Sequence, residues 1–197
     1  MEAVAVIDFE TTGLSPAQGD RATEIAAVIV RDGRVVDRYQ SLMNAGVRIP
    51  AHIESLTGIS NAMIRSAPTA AQVMREVADF IGGIPMVAHN AAFDAKFWDA
   101  ELARIERARK QDFVCSLLLS RRLFPLAPSH RLGALVQYAR LPVAGRFHRP
   151  LADAGHIRNV CCRRAFRRQA QAHQLSLGQA ADRRIALPGL KLAEQAL

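Results

Sequence analysis

The sequence predicts an α/β domain, a mixed sheet with helices on its faces, and three observations predict it. Short apolar, β-branched runs come first, at Ala3–Ile7, Ile25–Val30 and Arg34–Leu42. From Pro85 onward, short strand-like runs alternate with helical patterns, the order expected of a sheet covered by helices. Half of the 197 residues are apolar and 22% are charged, a mix that buries a sizeable core and argues against disorder. No apolar run approaches the ~18 residues that a membrane-spanning helix needs. The start, Met1-Glu2-Ala3-Val4, lacks the basic region of a signal peptide, so a cytoplasmic protein with no membrane attachment is expected. Cys115, Cys161 and Cys162 form no Cys-x-x-Cys pair, so neither a zinc cage nor a disulfide framework is expected.

The elements follow in order. Ala3–Ile7 reads as a strand ending at Asp8, with a loop through Thr11–Pro16 after it. Ile25–Val30 is a second strand, Asp32-Gly33 supplies hairpin turn chemistry, and Arg34–Leu42 returns as a third. Three antiparallel strands are the simplest arrangement. Between Ile53 and Ile64, Gly58 interrupts any helix. Thr69 caps a helix with Val73, Val77, Phe80 and Ile81 on one stripe, ended by Gly82-Gly83. Pro85–Ala88 is a short buried strand with His89-Asn90 at its exit. Asn90 is expected to cap a helix from Ala91 to Arg109 whose face includes Phe93, Phe97 and Leu102. Phe113–Leu119 passes from strand into a helix that stops near Pro125, and Ser129–Ala139 is another helix. Leu141–Pro150 connects to a helix over Leu151–Ala170. Beyond it, Ser176-Leu-Gly-Gln179 has the capping-box pattern for a helix to about Ile185, and Leu190–Leu197 is a final short turn.

Charge is divided unevenly. Residues 1–100 carry eight Lys+Arg and twelve Asp+Glu, a net −4, and residues 101–197 carry the other 18 and six, a net +12. Such a chain can gather cations at one place and a polyanion at another. Only Lys96, Lys110 and Lys191 are lysines; the arginine excess suits bidentate phosphate contacts and equally reflects base composition.

Three groups carry chemistry. Asp8 and Glu10 are two apart at the end of a strand, so both carboxylates share one face. Asp94, in His89-Asn90-Ala-Ala-Phe93-Asp94, lies in a first helical turn, where an acid also simply complements the helix dipole. His148 and Asp153 lie in a loop and the start of the helix after it.

This ordered set resembles the DEDDh family of 3′–5′ exonucleases, which includes the proofreading epsilon subunit of bacterial DNA polymerase III and ribonuclease T. The motifs read Asp8-Phe-Glu10-Thr11-Thr12-Gly13-Leu14, His89-Asn90-Ala-x-Phe93-Asp94 and His148-x4-Asp153-Ala, with Leu56-Thr57-Gly58-Ile59 between the first two. The resemblance implies a ribonuclease H-like sheet of five strands, the first three antiparallel, flanked by helices. It implies an exonuclease domain over residues 1–170 and a C-terminal helical extension over 171–197. It also implies two divalent cations, Mg²⁺ or Mn²⁺, held by Asp8, Glu10, Asp94 and Asp153, with His148 as general base. Thr11, Thr12, Leu56, Thr57 and Phe93 would meet the terminal nucleotide of a single-stranded 3′ end, DNA more than RNA. Two departures are visible: Pro150 stands where many relatives have alanine, and Thr57 where some proofreading subunits have histidine.

The alternatives are an RNA-trimming enzyme of the same fold, a non-catalytic nucleic-acid-binding module, and a subunit docked on a polymerase. Arg163, Arg164, Arg167 and Arg168 form adjacent i,i+4 rows that either touch phosphates or face solvent. Gln174-Leu-Ser-Leu177 resembles the start of a sliding-clamp-binding peptide, but Gly178 stands where an aromatic residue would close it.

Overall fold

The computed structural model describes residues 3–141 together with 153, 154, 156 and 157. The strands are β1 (Ala3–Thr11), β2 (Ala22–Arg31), β3 (Arg34–Leu42), β4 (Met86–Ala88) and β5 (Phe113–Cys115). They form one mixed sheet in the order β3-β2-β1-β4-β5. β1, β2 and β3 pair antiparallel, and β4 and β5 run parallel to β1. The C-terminal ends of β1, β4 and β5 therefore share one edge, where ligands bind in open α/β sheets.

The two faces are built from the period of two. Ala5, Ile7 and Phe9 of β1 and Ile25, Ala27 and Ile29 of β2 turn to a first face. Two helices cover it: α3 (Ala70–Ile81), through Val73, Met74, Val77 and Ile81, and α4 (Ala91–Ala103), through Phe97, Trp98 and Leu102. Val6, Val28, Val30 and Val87 turn to the second face and pack against Ala154 and Ile157, which are helical. Two short helices, α1 (Ala51–Thr57) and α2 (Asn61–Arg65), lie between β3 and α3. They are split at Gly58, which has φ 74° and supplies the left-handed turn that ends α1. Thr69 caps α3 as expected, its side chain accepting from the Gln72 amide. α5 (Ser116–Leu123) and α6 (Leu132–Tyr138) pack on each other around Phe124, Leu135, Val136 and Leu141.

Four expectations need correction. β1 does not end at Asp8 but continues to Thr11, because β2 pairs with it residue by residue, Asp8 opposite Ala26 and Glu10 opposite Glu24. A paired neighbour holds polar residues in the strand that their own hydrophobicity would not. α4 ends at Ala103, six residues short of Arg109. The amides of Ile105 and Arg107 both return to the Leu102 carbonyl, and Glu106 takes φ 57°. Arg107 and Arg109 leave the helix to pair with Asp79 at 2.7 Å and Asp99 at 2.8 Å. Asn90 precedes α4 but makes no side-chain cap; it adopts φ 67°, which asparagine tolerates, and only its carbonyl engages the first turn. The expected helix over 129–139 is the shorter α6. The rest of the helix over 151–170 and the tail over 171–197 lie outside the described residues.

Candidate active site

Asp8 and Glu10 continue the second face begun by Val4 and Val6. The helical residues Ala154 and Ile157 pack on Val6 and its neighbours, which carries Asp153 to the same place. Carboxylate oxygens of Asp8, Glu10 and Asp153 lie within 4.8 Å of one another. A register shift between Glu10 and Thr11 marks a bulge beside this cluster, a common device for re-aiming side chains near functional sites. Asp94 arrives from the first turn of α4. β4 pairs with β1 only as far as Val6, and beyond it Asp94 Oδ1 accepts from the Phe9 amide at 3.3 Å. Glu10, Asp94 and Asp153 are buried and Asp8 is half-buried.

Burial, then the charges of Asp94, Asp153, Glu10 and Glu24, push the Asp8 carboxyl well above its usual range. Burial holds Asp94 up at about 8, with Glu10 adding to it and the Phe9 amide pulling the other way. Two carboxylates at about 4 Å repel by about 4 kcal/mol at an effective dielectric of 20. An oxygen-only set of acids that cannot ionise together fits a hard divalent cation, which removes the repulsion. The donor set therefore matches the metal expected from the sequence.

Among the residues expected at the terminal nucleotide, Thr11 and Thr12 are buried. The Thr11 hydroxyl donates to the Gly13 carbonyl at 2.6 Å, and the Thr12 hydroxyl accepts from the Arg21 amide at 3.0 Å. A Cβ at Gly13 would displace the Asp20 carboxylate, which accepts from the Ser15 amide at 2.8 Å. Thr57 is buried at the end of α1 and accepts from the Ile59 amide, while its neighbour Leu56 is 48% exposed. Phe93 is half-buried against Phe97, with the Lys96 ammonium 5.0 Å from its ring centroid. Lys96 also donates to the Leu14 carbonyl, joining the loop after β1 to α4. His148 lies outside the described residues.

Two neighbours of the cluster, Glu24 and His156, carry no assignment from sequence, and His89 of the second motif has a structural role. Glu24 is buried opposite Glu10, with Gln40 donating to its Oε1 at 2.6 Å. His156 is fully buried with Nδ1 3.5 Å from Asp153 Oδ1. The sequence signals neither: the register of β2 against β1 puts Glu24 opposite Glu10, and the helical turn that carries Asp153 puts His156 beside it. His89 uses both ring nitrogens structurally, Nε2 on the His130 carbonyl at 2.9 Å and Nδ1 on the Ser116 hydroxyl at 3.0 Å. A carbonyl only accepts, so Nε2 carries a proton, and burial lowers the pKa of the ring and favours its neutral form.

A family model described as Exonuclease (RNase_T) matches residues 5–160. The chain belongs to the exonuclease family. It carries that family's hydrolytic domain on a ribonuclease H-like fold. Over 140 residues it is 39% identical to the 3′-5′ exonuclease DinG of Bacillus subtilis (strain 168), covering 69% of this chain and 15% of that protein. It is 36% identical over 155 residues to a PolC-type DNA polymerase III of the same organism, covering 77% of this chain and 11% of the polymerase. Thus the chain spans a small part of the length of these relatives. Exonuclease X, solved in complex with 5′ overhanging duplex DNA, superposes with a TM-score of 0.65 at 26% identity, covering 81% of this chain and 89% of that one. Exonuclease I of E. coli, solved with a dT13 oligonucleotide, shares the fold at a TM-score of 0.75 and 16% identity, covering 89% and 43%. Among the described residues no helix is long and apolar enough to cross a membrane.

Proposed function

We propose that this exonuclease-family chain removes nucleoside 5′-monophosphates from single-stranded 3′ ends in a reaction that needs two divalent cations, Mg²⁺ or Mn²⁺, with DNA preferred over RNA. The observation that carries the reading is the meeting of Asp8, Glu10 and Asp153 within 4.8 Å, with Asp94 close enough to Asp8 to raise its pKa. In this reading Asp8, Glu10, Asp94 and Asp153 would hold the two ions, which would supply activation of a water and stabilisation of a leaving 3′ oxygen.

The chain's own residues supply the rest. His148, assigned from sequence alone, takes the proton of the attacking water, for which an imidazole with an ordinary pKa near 6.5 is suited. Leu56, half exposed beside the buried Thr57, and Phe93 offer apolar surface to an unstacked terminal base, which such surface accepts without regard to sequence. Thr11, Thr12 and Thr57 border the sugar. The name of the DinG relative supports the 3′–5′ polarity, and the polymerase relatives support work beside a polymerase.

The test offers matched 5′-labelled DNA and RNA single strands to the full chain and to Asp8→Ala. The expected result is a descending ladder on DNA with Mg²⁺ or Mn²⁺, absent with chelator and absent in Asp8→Ala. No cleavage of either polymer with either ion rejects the reading, and a ladder on RNA alone reverses the substrate preference. Co-elution with a polymerase checks the proposed partner.

A further inference from the structure

Between Asp112 and Asp153 the sequence holds six arginines and no acidic residue. Four of these, Arg121, Arg122, Arg131 and Arg140, are described and exposed on α5, α6 and their flanks. Just upstream, Arg104, Arg107 and Arg109 pair with Glu101, Asp79 and Asp99. The four on the α5–α6 unit make no ion pair among the described residues. Leu118, Arg121 and Arg122 stand at i, i+3 and i+4 and share the outer face of α5. Leu118 is 56% exposed. Tyr138 of α6, also exposed, meets Phe124 at the end of α5 edge-on, 6.0 Å between ring centroids. Tyr138 therefore packs against the C-terminal end of α5, the end whose last turn carries Arg121 and Arg122.

The unit is fixed at the catalytic edge of the sheet. α5 begins at Ser116, directly from the end of β5, which runs parallel to β4. His89, at the exit of β4, bonds to Ser116 at one end of α5 and to the His130 carbonyl just before α6, and His130 Nδ1 bonds to the Ser120 hydroxyl at 3.0 Å. α4, with Asp94 in its first turn, begins two residues after His89.

We propose that the α5–α6 face is a track for single-stranded nucleic acid, carrying the nucleotides upstream of the 3′ end that occupies the acidic site. The proposal rests on the exonuclease reading and deepens it. Exposed arginines that make no ion pair among the described residues fit a phosphate backbone, and Tyr138 fits the base stacking that binds single strands regardless of sequence. An acidic protein surface would match the arginines but would leave the exposed ring without a role.

The test measures binding of the full chain to 5′-fluorescein oligothymidylates by anisotropy in chelator, so that neither metal nor turnover contributes. In wild type, affinity should rise as the strand lengthens from ~4 to ~15 nucleotides, the range of a single-strand groove. The triple variant Arg121→Gln, Arg122→Gln, Arg140→Gln should lose that gain with length. The slope of log K against log salt should shrink by about 2, roughly 0.7 for each phosphate contact removed. Tyr138→Ala should weaken the longer strand by about 5- to 100-fold with the salt slope kept. Retention of the length gain and of the full salt slope in the triple variant overturns the track and leaves the face to a protein partner. Because the binding arm needs no catalysis, a protein that binds as described but cleaves nothing sinks the exonuclease reading alone.

Discussion

Asp94 sits in the first turn of α4, almost fully buried and with one oxygen on the Phe9 amide, and its carboxyl is held up at about 8. An unfolded chain releases this proton near 3.8, whereas the folded chain keeps it until about 8. Over that window the folded state binds more protons, so stability falls as pH rises, and burial of Asp8 acts in the same direction. Without metal, Tm should therefore drop between about pH 5 and pH 8. Asp94→Asn should flatten the drop while abolishing turnover, since the amide oxygen still accepts from Phe9. Parallel Tm curves for the two proteins would contradict this assignment. Mn²⁺ should restore Tm most at the alkaline end, where it meets ionised acids. His148→Ala should lose about 10²- to 10⁴-fold in turnover yet keep the Mn²⁺-induced rise in Tm; activity within a few-fold of wild type would remove His148 from the mechanism. The acids were legible in sequence because Asp8 and Glu10 obey the strand period and Asp94 sits in a recognisable motif. Glu24 and His156 were not, because one interrupts an apolar strand and the other an unremarkable helix, and only the packed sheet places them at the cluster.

At the scale of elements, the second face of the sheet and the N-terminus of α4 bring the acids together. Strand order could be anticipated from the hairpin at Asp32-Gly33 and from the alternation that starts at Pro85. Element ends could not. Pairing with β2 extends β1 through Glu10, and the left-handed turn at Glu106, with the Arg107 amide returning to Leu102, ends α4 before Arg107 and Arg109. α4 is fixed to the start of β2 by Glu101, which is 3% exposed and accepts two bonds from the Arg21 guanidinium at 2.8 Å and one from the Ala22 amide at 3.3 Å. Arg21 also donates to the Ala45 carbonyl. Removing one member of a buried pair strands the other, so Glu101→Ala should lower the free energy of unfolding by about 3–5 kcal/mol, read from the urea midpoint. A loss below about 1 kcal/mol would class the pair with exposed bridges. Gly13→Ala should shift the loop after Glu10, because its Cβ would meet Asp20, and raise KM for a single strand more than it lowers kcat.

Across the whole molecule, charge follows function. Net −4 over residues 1–100 contains Asp8, Glu10 and Asp94, and net +12 over residues 101–197 contains the arginines of α5 and α6. On the proposed function, the acidic part supplies three of the four acids for dications, Asp153 comes from the basic part, and the exposed arginines of α5 and α6 serve the polyanion. Salt should therefore act on substrate affinity far more than on metal affinity, because surface phosphate contacts are screened and a buried ion site is not. The claim on which everything else depends is that the four carboxylates hold metal, and anomalous diffraction from crystals soaked in Mn²⁺ measures it most directly. The account predicts one peak bounded by Asp8, Glu10 and Asp153 and a second beside Asp8 and Asp94. Manganese bound elsewhere on the chain, with these four side chains bare, would contradict it.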